Sequence, residues 1–152
     1  MNILLIDRYL VLSLIKKLLS TLFVFVIIFL VVDIIEDVDK MLSTGKFDVF
    51  AMVHNETSTG AMSNLDTISK LLKNKYPDII WLVDAVSSMA GGKIEVDKLG
   101  IDFILSSTQK AWGLPAGFSI CAISDRLIEK SLNIKNKGYF LDVQIYEKYY
   151  LK

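Results

Sequence analysis

Two charged side chains follow apolar runs in the middle of the chain, and their types suggest chemistry on an aldehyde. Asp84 ends the run "IIWLVD", and Lys110 follows the run "DFILSS". Every other residue from Phe103 to Gly117 is uncharged, so Lys110 does not belong to a solvated cluster of charges. A lysine amine in an apolar pocket can attack an aldehyde as a nucleophile. A carboxylate can keep a pyridine nitrogen protonated, which makes the ring an electron sink.

Each of the two residues also has an ordinary structural explanation. An aspartate that follows a strand often caps the next loop, and most lysines lie at the surface. Asp84 and Lys110 are 26 positions apart, which is about the length of one strand, its connection and the next strand. The two side chains could therefore meet at neighbouring strand ends, but the residues alone leave both interpretations open.

The chain from about residue 45 alternates short apolar runs with amphipathic stretches. Runs rich in β-branched and aromatic residues predict strands, and apolar residues at helical spacing predict helices. Because each predicted strand is apolar on both faces, the pattern predicts an α/β fold with a mostly parallel sheet covered by helices. The predicted strands are 47–53, 79–84, 102–107 and 118–124, and the predicted helices are 64–76 and 125–133.

Three of these strands are followed by polar and small residues. The segments are "HNETSTG" (54–60), "AVSSMAGG" (85–92) and "TQKAWGLPAG" (108–117). In open α/β sheets, ligands bind beyond the carboxyl ends of the strands. We therefore expect the three segments to line one pocket.

Composition excludes several other classes of function. Lys+Arg and Asp+Glu both number 17, so the chain has no basic surplus for binding nucleic acid. One cysteine, Cys121, excludes an internal disulfide, and one histidine excludes a multi-histidine metal site within the chain. We expect neither a metal nor a nucleic-acid partner.

Three motifs in order resemble the class V pyridoxal-phosphate aminotransferases, in particular the alanine/serine–glyoxylate branch. They are "HNETSTG", "VDAVSSMAGGKIEVDKLGIDFILSSTQKAWGLPAG" and "GYFLDV", and the resemblance covers about 46–150. It implies pyridoxal 5'-phosphate as the cofactor and part of the large domain of a type I pyridoxal-phosphate transferase. It also implies transfer of an amino group from an amino acid to a 2-oxo acid such as glyoxylate or pyruvate, and a possible homodimer.

The resemblance also assigns roles to individual residues. Lys110 would be the Schiff-base lysine and would act as general base and acid, and Asp84 would pair with the pyridine nitrogen. His54 would pack or cap, without stacking on the ring. The other implied cofactor-binding residues are Val86 under the ring, Ser58 on the hydroxyl side with Thr57 less closely, and Gln109 near the phosphate.

Some parts of the family pattern have no counterpart in this sequence. In the family, the phosphate-cradling segment and the stacking aromatic precede "HNETSTG", and the arginine that grips the substrate carboxylate lies far downstream. Neither Arg8 nor Arg126 matches that arginine. We therefore expect a truncated transaminase that is weak or inactive alone, with a non-functional fusion product as one alternative.

The N-terminal segment is different in character from the rest. The run "LLSTLFVFVIIFLVV" at 18–32 has no charge, and with its flanks it predicts a membrane helix over roughly 12–35. A buried core helix and a signal peptide are the alternatives. The prediction divides the chain into a transmembrane domain, 1–44, and an aminotransferase-like domain, 45–152.

This membrane interpretation implies a single-pass membrane protein in contact with lipid. Basic residues before the span would keep the N-terminus in the cytoplasm and export the rest, which conflicts with the cytoplasmic location of the related enzymes. Residues 6–39 also resemble the first transmembrane segment of the lipopolysaccharide export permeases (the F and G subunit family), through "DRYL" and the acidic exit. A membrane-anchored component of such a permease is the other alternative function.

Overall fold

The chain forms two compact units, Met1–Gly45 and Lys46–Lys152. The computed structural model describes residues 5–135, 137–138 and 142–150, apart from the side chains of 5–11, 26–34 and 150. Because compactness says nothing of activity, the two functional domains proposed from the sequence, 1–44 and 45–152, stay a prediction.

The first unit contains one long helix, α1 (Leu5–Leu42). The prediction that a helix over 12–35 crosses a membrane is wrong, and so are the single-pass membrane localisation and the lipid partner. Within the described residues, no helix is both long enough and apolar enough to span a bilayer. The described part of the predicted span, 12–25, carries Lys16 and Lys17. The remaining positions 26–34 lie outside the described side chains.

The second unit is an α/β fold built on a four-stranded sheet in the order β1-β2-β3-β4. β1, β2 and β3 are parallel, and β4 is antiparallel to β3. The strands are β1 (Val49–Val53), β2 (Ile80–Asp84), β3 (Phe103–Ser107) and β4 (Ser119–Ile123). The helices are α2 (Leu65–Lys75), α3 (Val96–Leu99), α4 (Asp125–Leu132) and α5 (Val143–Tyr150).

The four predicted strands and both predicted helices are confirmed, each within two residues at either end. The antiparallel direction of β4 was not predicted. The connection 108–118 contains only turns, and a parallel strand would need a crossover of a dozen or more residues. The helices α3 and α5 were also missed; α3 has only four residues, too few to show a helical period.

The core of this unit lies on one face of the sheet. Trp81, Val83 and Ile104 are almost completely buried there. α2 contributes Ile68 and Leu72, which are spaced to face the sheet together. The helix begins at a cap in which the Asn64 side chain accepts a hydrogen bond from the backbone N–H of Thr67 at 3.1 Å, as the sequence suggested. The packing of this face fixes where each strand ends.

A buried carboxylate lies at the end of the sheet where the parallel strands begin. Asp102, which is 2% exposed, directly precedes β3. It accepts hydrogen bonds from Arg126 Nε at 2.9 Å, the backbone N–H of Trp81 at 2.8 Å and Ser124 Oγ at 2.8 Å. Arg126 also donates to the carbonyl of Ile79 at 3.0 Å. Because β4 is antiparallel to β3, it ends where β3 begins, and the Asp102 carboxylate joins these two points.

The ionisation of Asp102 reflects two opposed effects. Burial favours the neutral acid and would raise its pKa. The hydrogen bonds from Arg126, Trp81 and Ser124 outweigh burial and leave the pKa below its ordinary value. The same pairing raises the pKa of Arg126. Asp102 and Arg126 thus form a charged pair that stabilises the fold.

Candidate active site

Asp84 is the last residue of β2, between the two strands that flank it. In the strand register it lies opposite Val53 of β1 and Leu105 of β3. Its side chain is half-buried, and its Oδ1 atom accepts a hydrogen bond from the backbone N–H of Val86 at 2.9 Å. Within the described part of the chain, only Oδ1 is engaged. The carboxylate therefore caps the next turn and still has one oxygen for a ligand.

Lys110 lies in the turn that follows β3, the neighbouring parallel strand. Its backbone N–H donates to the carbonyl of Ser107 at 3.4 Å, and its own carbonyl accepts from the N–H of Gly113 at 3.0 Å. The side chain is exposed, so the apolar pocket expected around it is not found among the described residues. The reason is that this turn, 108–117, extends beyond the edge of the sheet. Its amine makes no hydrogen bond or ion pair with the residues that the structure describes.

The turn that carries Lys110 is joined to the turn that carries Val86. Ser106 Oγ donates to the carbonyl of Val86 at 3.4 Å and accepts from Trp112 Nε1 at 3.1 Å. Thr108 Oγ1 donates to the carbonyl of Pro115 at 2.6 Å, which closes the turn on itself. Val86, expected under the ring, is half-buried next to Asp84. These contacts hold the two turns side by side.

The loop after β1 reaches the same region. Thr57 Oγ1 is hydrogen-bonded to Ser87 Oγ, one residue beyond Val86. Ser58, however, is exposed, and both its N–H and its hydroxyl donate to Glu56 Oε1, at 2.9 and 2.8 Å. The hydrogen bond from the Ser58 N–H is the first cause of the lowered pKa of Glu56. The structure thus brings Thr57 to the turn after β2 and leaves Ser58 occupied within its own loop.

Gln109 and Ser107 lie on either side of Thr108, just before Lys110. Gln109, expected near the phosphate, is exposed in the turn beside Lys110. Ser107 was missed: its Oγ atom is buried and has no hydrogen-bond partner among the described residues. Strand alternation places Ser107 on the same sheet face as Leu105, and Leu105 is the register partner of Asp84. Strand alternation could identify this face only once the register of Asp84 with Leu105 was known.

These groups fit the cofactor that the sequence resemblance implies. An unengaged carboxylate oxygen of Asp84 suits a ring nitrogen, the amine of Lys110 suits an aldehyde, and the orphaned hydroxyl of Ser107 suits a phosphate oxygen. A groove of about 310 Å³ on the same sheet face ends at Asp84 and is lined by Leu82, Phe103 and other apolar residues. The donor set therefore agrees with pyridoxal phosphate.

A larger cavity of about 530 Å³ lies at the other end of the strands, next to Asp102 and Arg126. It includes none of the residues predicted to bind the cofactor. We place the candidate active site at the strand ends with Asp84 and Lys110 because of the chemistry of these residues, although the other cavity is larger.

Comparisons with known proteins bear on the family of the chain. Residues 31–151 match the sequence profile of the family described as Aminotransferase class-V. The chain is 36% identical over 105 residues to alanine–glyoxylate aminotransferase 1 of Saccharomyces cerevisiae, covering 69% of this chain and 27% of that protein. It is 36% identical over 100 residues to serine–glyoxylate aminotransferase of Arabidopsis thaliana, covering 65% of this chain and 25% of that protein.

A solved structure shows the same fold. The alanine–glyoxylate aminotransferase of Nostoc sp. superposes with a TM-score of 0.68 at 34% identity, covering 75% of this chain and 30% of that one. The chain therefore spans about a quarter to a third of the relatives it matches. The third motif, "GYFLDV", includes residues 139–141, which lie outside the described residues.

The family match also bears on the N-terminal segment. It begins at residue 31, inside the segment 6–39 that resembles the lipopolysaccharide export permeases, and none of these similarities supports that resemblance. Class V aminotransferases depend on pyridoxal phosphate, so the cofactor predicted from the sequence is that of the family. The chain belongs to the class V aminotransferase family.

Proposed function

We propose that this chain supplies the cofactor-binding lysine of a transaminase that moves an amino group from an amino acid to a 2-oxo acid. The observation that carries the proposal is the placement of Asp84 and Lys110 at the ends of adjacent parallel strands, with one carboxylate oxygen and one amine left unengaged. The named relatives act on alanine or serine with glyoxylate, which supports glyoxylate as the acceptor; pyruvate is the other acceptor in the proposal.

Each residue has a distinct task in this proposal. Bound pyridoxal phosphate supplies an electron sink for the substrate α-carbon. Lys110 holds the cofactor through its Nζ atom and then accepts and returns a proton at that atom. Asp84 keeps the ring nitrogen protonated through the oxygen that Val86 does not occupy. Val86 supports the ring from below, with Thr57 fixing the adjacent Ser87.

Three side chains would hold the phosphate and the ring hydroxyl. Ser107 and Gln109 flank Thr108 at the start of the Lys110 turn, where a phosphate could accept from both. Ser58 would have to leave Glu56 to reach the ring hydroxyl. A second copy of the chain, as a homodimer, is part of the proposal for the complete site.

Chemical trapping tests the proposal. The protein is incubated with pyridoxal phosphate, reduced with borohydride, digested and mapped by mass spectrometry. We expect the adduct on Lys110 and little on Lys70, an exposed lysine of α2 that serves as the internal control. Lys110→Arg should remove the adduct while leaving thermal unfolding unchanged. Equal labelling of Lys110 and Lys70 would refute the cofactor assignment.

A transfer assay tests the substrate class. Purified protein with pyridoxal phosphate is mixed with alanine or serine and glyoxylate, and glycine is measured. Glycine formation that is lost in Lys110→Arg would support the assignment. Trapping on Lys110 without any glycine from either donor would retain the cofactor and reject transfer from these donors by the chain alone.

A further inference from the structure

Gly91, in the turn after β2, lies close to the turn that carries Lys110. A Cβ atom added to Gly91 would lie 3.0 Å from the Cβ of Ala111, which directly follows Lys110, and 3.4 Å from the carbonyl oxygen of Ser88. A carbon–carbon contact of that length is far inside the ordinary optimum of roughly 3.5–4.0 Å. The absence of a side chain at Gly91 therefore allows the two turns to come this close.

Gly91 has little freedom to move away. Its N–H donates to the carbonyl of Ser88 at 2.9 Å, and the same carbonyl accepts from Gly92 at 3.1 Å. Ser88 is 5% exposed, and its Oγ atom is hydrogen-bonded to Nδ1 of His54 at 2.8 Å. The turn is thus anchored to the end of β1. A side chain added at Gly91 would therefore have to displace Ala111 and the turn that carries it.

The Lys110 turn is the more yielding partner. The bond from its N–H to Ser107 is long, at 3.4 Å, and the residues 109–117 are all exposed. A displaced Ala111 would carry Lys110 with it, because the two residues are adjacent. The Asp84 carboxylate would stay in place, since β2 lies between two strands.

We propose that Gly91 is a positioning residue, which sets the distance between the Lys110 turn and the Asp84 end of β2 by lacking a side chain. The turn 85–92 acts as a fixed support, and Ala111 is the point at which the Lys110 turn rests on it. The consequence for cofactor binding rests on the function proposed above. The packing itself does not.

Two neighbouring glycines give a matched pair of variants. Gly91→Ala introduces the contact with Ala111, whereas a Cβ at Gly92 would meet nothing within 4 Å. Neither glycine has a positive φ, so both substitutions leave the backbone unstrained. Amide hydrogen exchange is measured without cofactor at Lys110, Gly113 and Leu114. We expect Gly91→Ala to speed exchange there by at least about fivefold and Gly92→Ala to leave it unchanged.

A compensating change tests the contact directly. The double variant Gly91→Ala with Ala111→Gly removes one Cβ as it adds the other, and should bring exchange back to the rate of Ala111→Gly alone. Far-ultraviolet circular dichroism checks that each variant folds. Equal exchange in Gly91→Ala and Gly92→Ala, or no rescue by Ala111→Gly, would overturn the proposal.

Cofactor trapping provides the second readout. We expect the borohydride adduct on Lys110 to fall at least about fivefold in Gly91→Ala, to return in the double variant and to stay constant in Gly92→Ala. If the unaltered protein forms no adduct on Lys110, the proposed function fails, while the exchange comparison still decides the role of Gly91. An adduct that is undiminished in Gly91→Ala would reject that role.

Discussion

His54 and Ser88 are joined by a hydrogen bond of 2.8 Å between Nδ1 and Oγ, although 34 positions separate them in the chain. His54 follows β1 and Ser88 lies in the turn after β2, so the bond ties two of the loops that surround the site. Both side chains are buried, at 7% and 5% exposed. The sequence indicated only that His54 would pack or cap.

Burial of His54 predicts a dependence of stability on pH. Removal from water disfavours the charged imidazole and lowers its pKa below 6.5 in the folded protein. The unfolded chain therefore binds more protons than the folded one just below pH 6.5. We expect the free energy of unfolding to be fully retained above pH 6.5 and to fall as the pH drops through the lowered pKa. Denaturant titrations at several pH values measure it.

Two variants separate the charge of His54 from its hydrogen bond. His54→Gln cannot titrate, so the slope of stability with pH just below pH 6.5 should flatten. Ser88→Ala leaves a buried nitrogen without a partner and should cost about 1–3 kcal/mol of unfolding free energy at pH 7.5. A slope that persists in His54→Gln would show that another group titrates.

Asp84→Asn should separate charge from capping. The amide oxygen can still accept from the N–H of Val86, so we expect unfolding free energy to change by no more than about 0.5 kcal/mol. Loss of the carboxylate charge should lower cofactor trapping on Lys110 at least about tenfold. Asp84→Ala, which loses the cap as well, should also destabilise the fold. Full trapping in Asp84→Asn would contradict the pairing with a ring nitrogen.

Ala90→Gly should stabilise the protein. Ala90 has a φ of 72°, in the left-handed region that is unfavourable for residues with a Cβ. Glycine adopts this conformation freely, and we expect a gain of about 1 kcal/mol in unfolding free energy. Ala61→Gly is the control: Ala61 is exposed and has no positive φ, so glycine there should lose stability. Equal losses in both variants would exclude strain at Ala90.

Asp102→Asn should destabilise the fold without affecting the site. Replacing the carboxylate leaves Arg126 without its charged partner, and we expect a loss of about 3 kcal/mol, near the lower end for buried pairs because Arg126 is 41% exposed. The pKa of Asp102 is lowered, so its contribution is present above pH 3.8 and is lost as the pH falls through the folded value. Denaturant titrations should therefore show a lower free energy of unfolding in the variant at neutral pH and a smaller dependence of that free energy on pH below 3.8.

The strands were predictable because their residues are apolar in continuous runs between polar segments. The pairing of Asp84 with Val86 was left open by the sequence, since a carboxylate after a strand can cap a loop or bind a ligand. Asp84 does the first and keeps an oxygen for the second. The exposure of Lys110 could not be predicted, because an uncharged neighbourhood in sequence does not ensure an apolar one in space.

The error at the N-terminus has a different origin. Mean apolar character over 18–32 suggested a membrane helix, but Lys16 and Lys17 lie within the described part of the predicted span. Ser107 was missed because strand alternation identifies its sheet face only once the register of Asp84 with Leu105 is known.

The charged pair Asp102–Arg126 lies at the opposite end of the parallel strands from Asp84 and Lys110, the two residues proposed to bind the cofactor. Folding and chemistry can therefore be lost separately in this chain. Natural variation could erode the lysine end while the carboxylate end still yields a well-formed sheet. A normal circular dichroism spectrum or melting curve would then be no guide to whether a descendant of this protein could still bind the proposed cofactor.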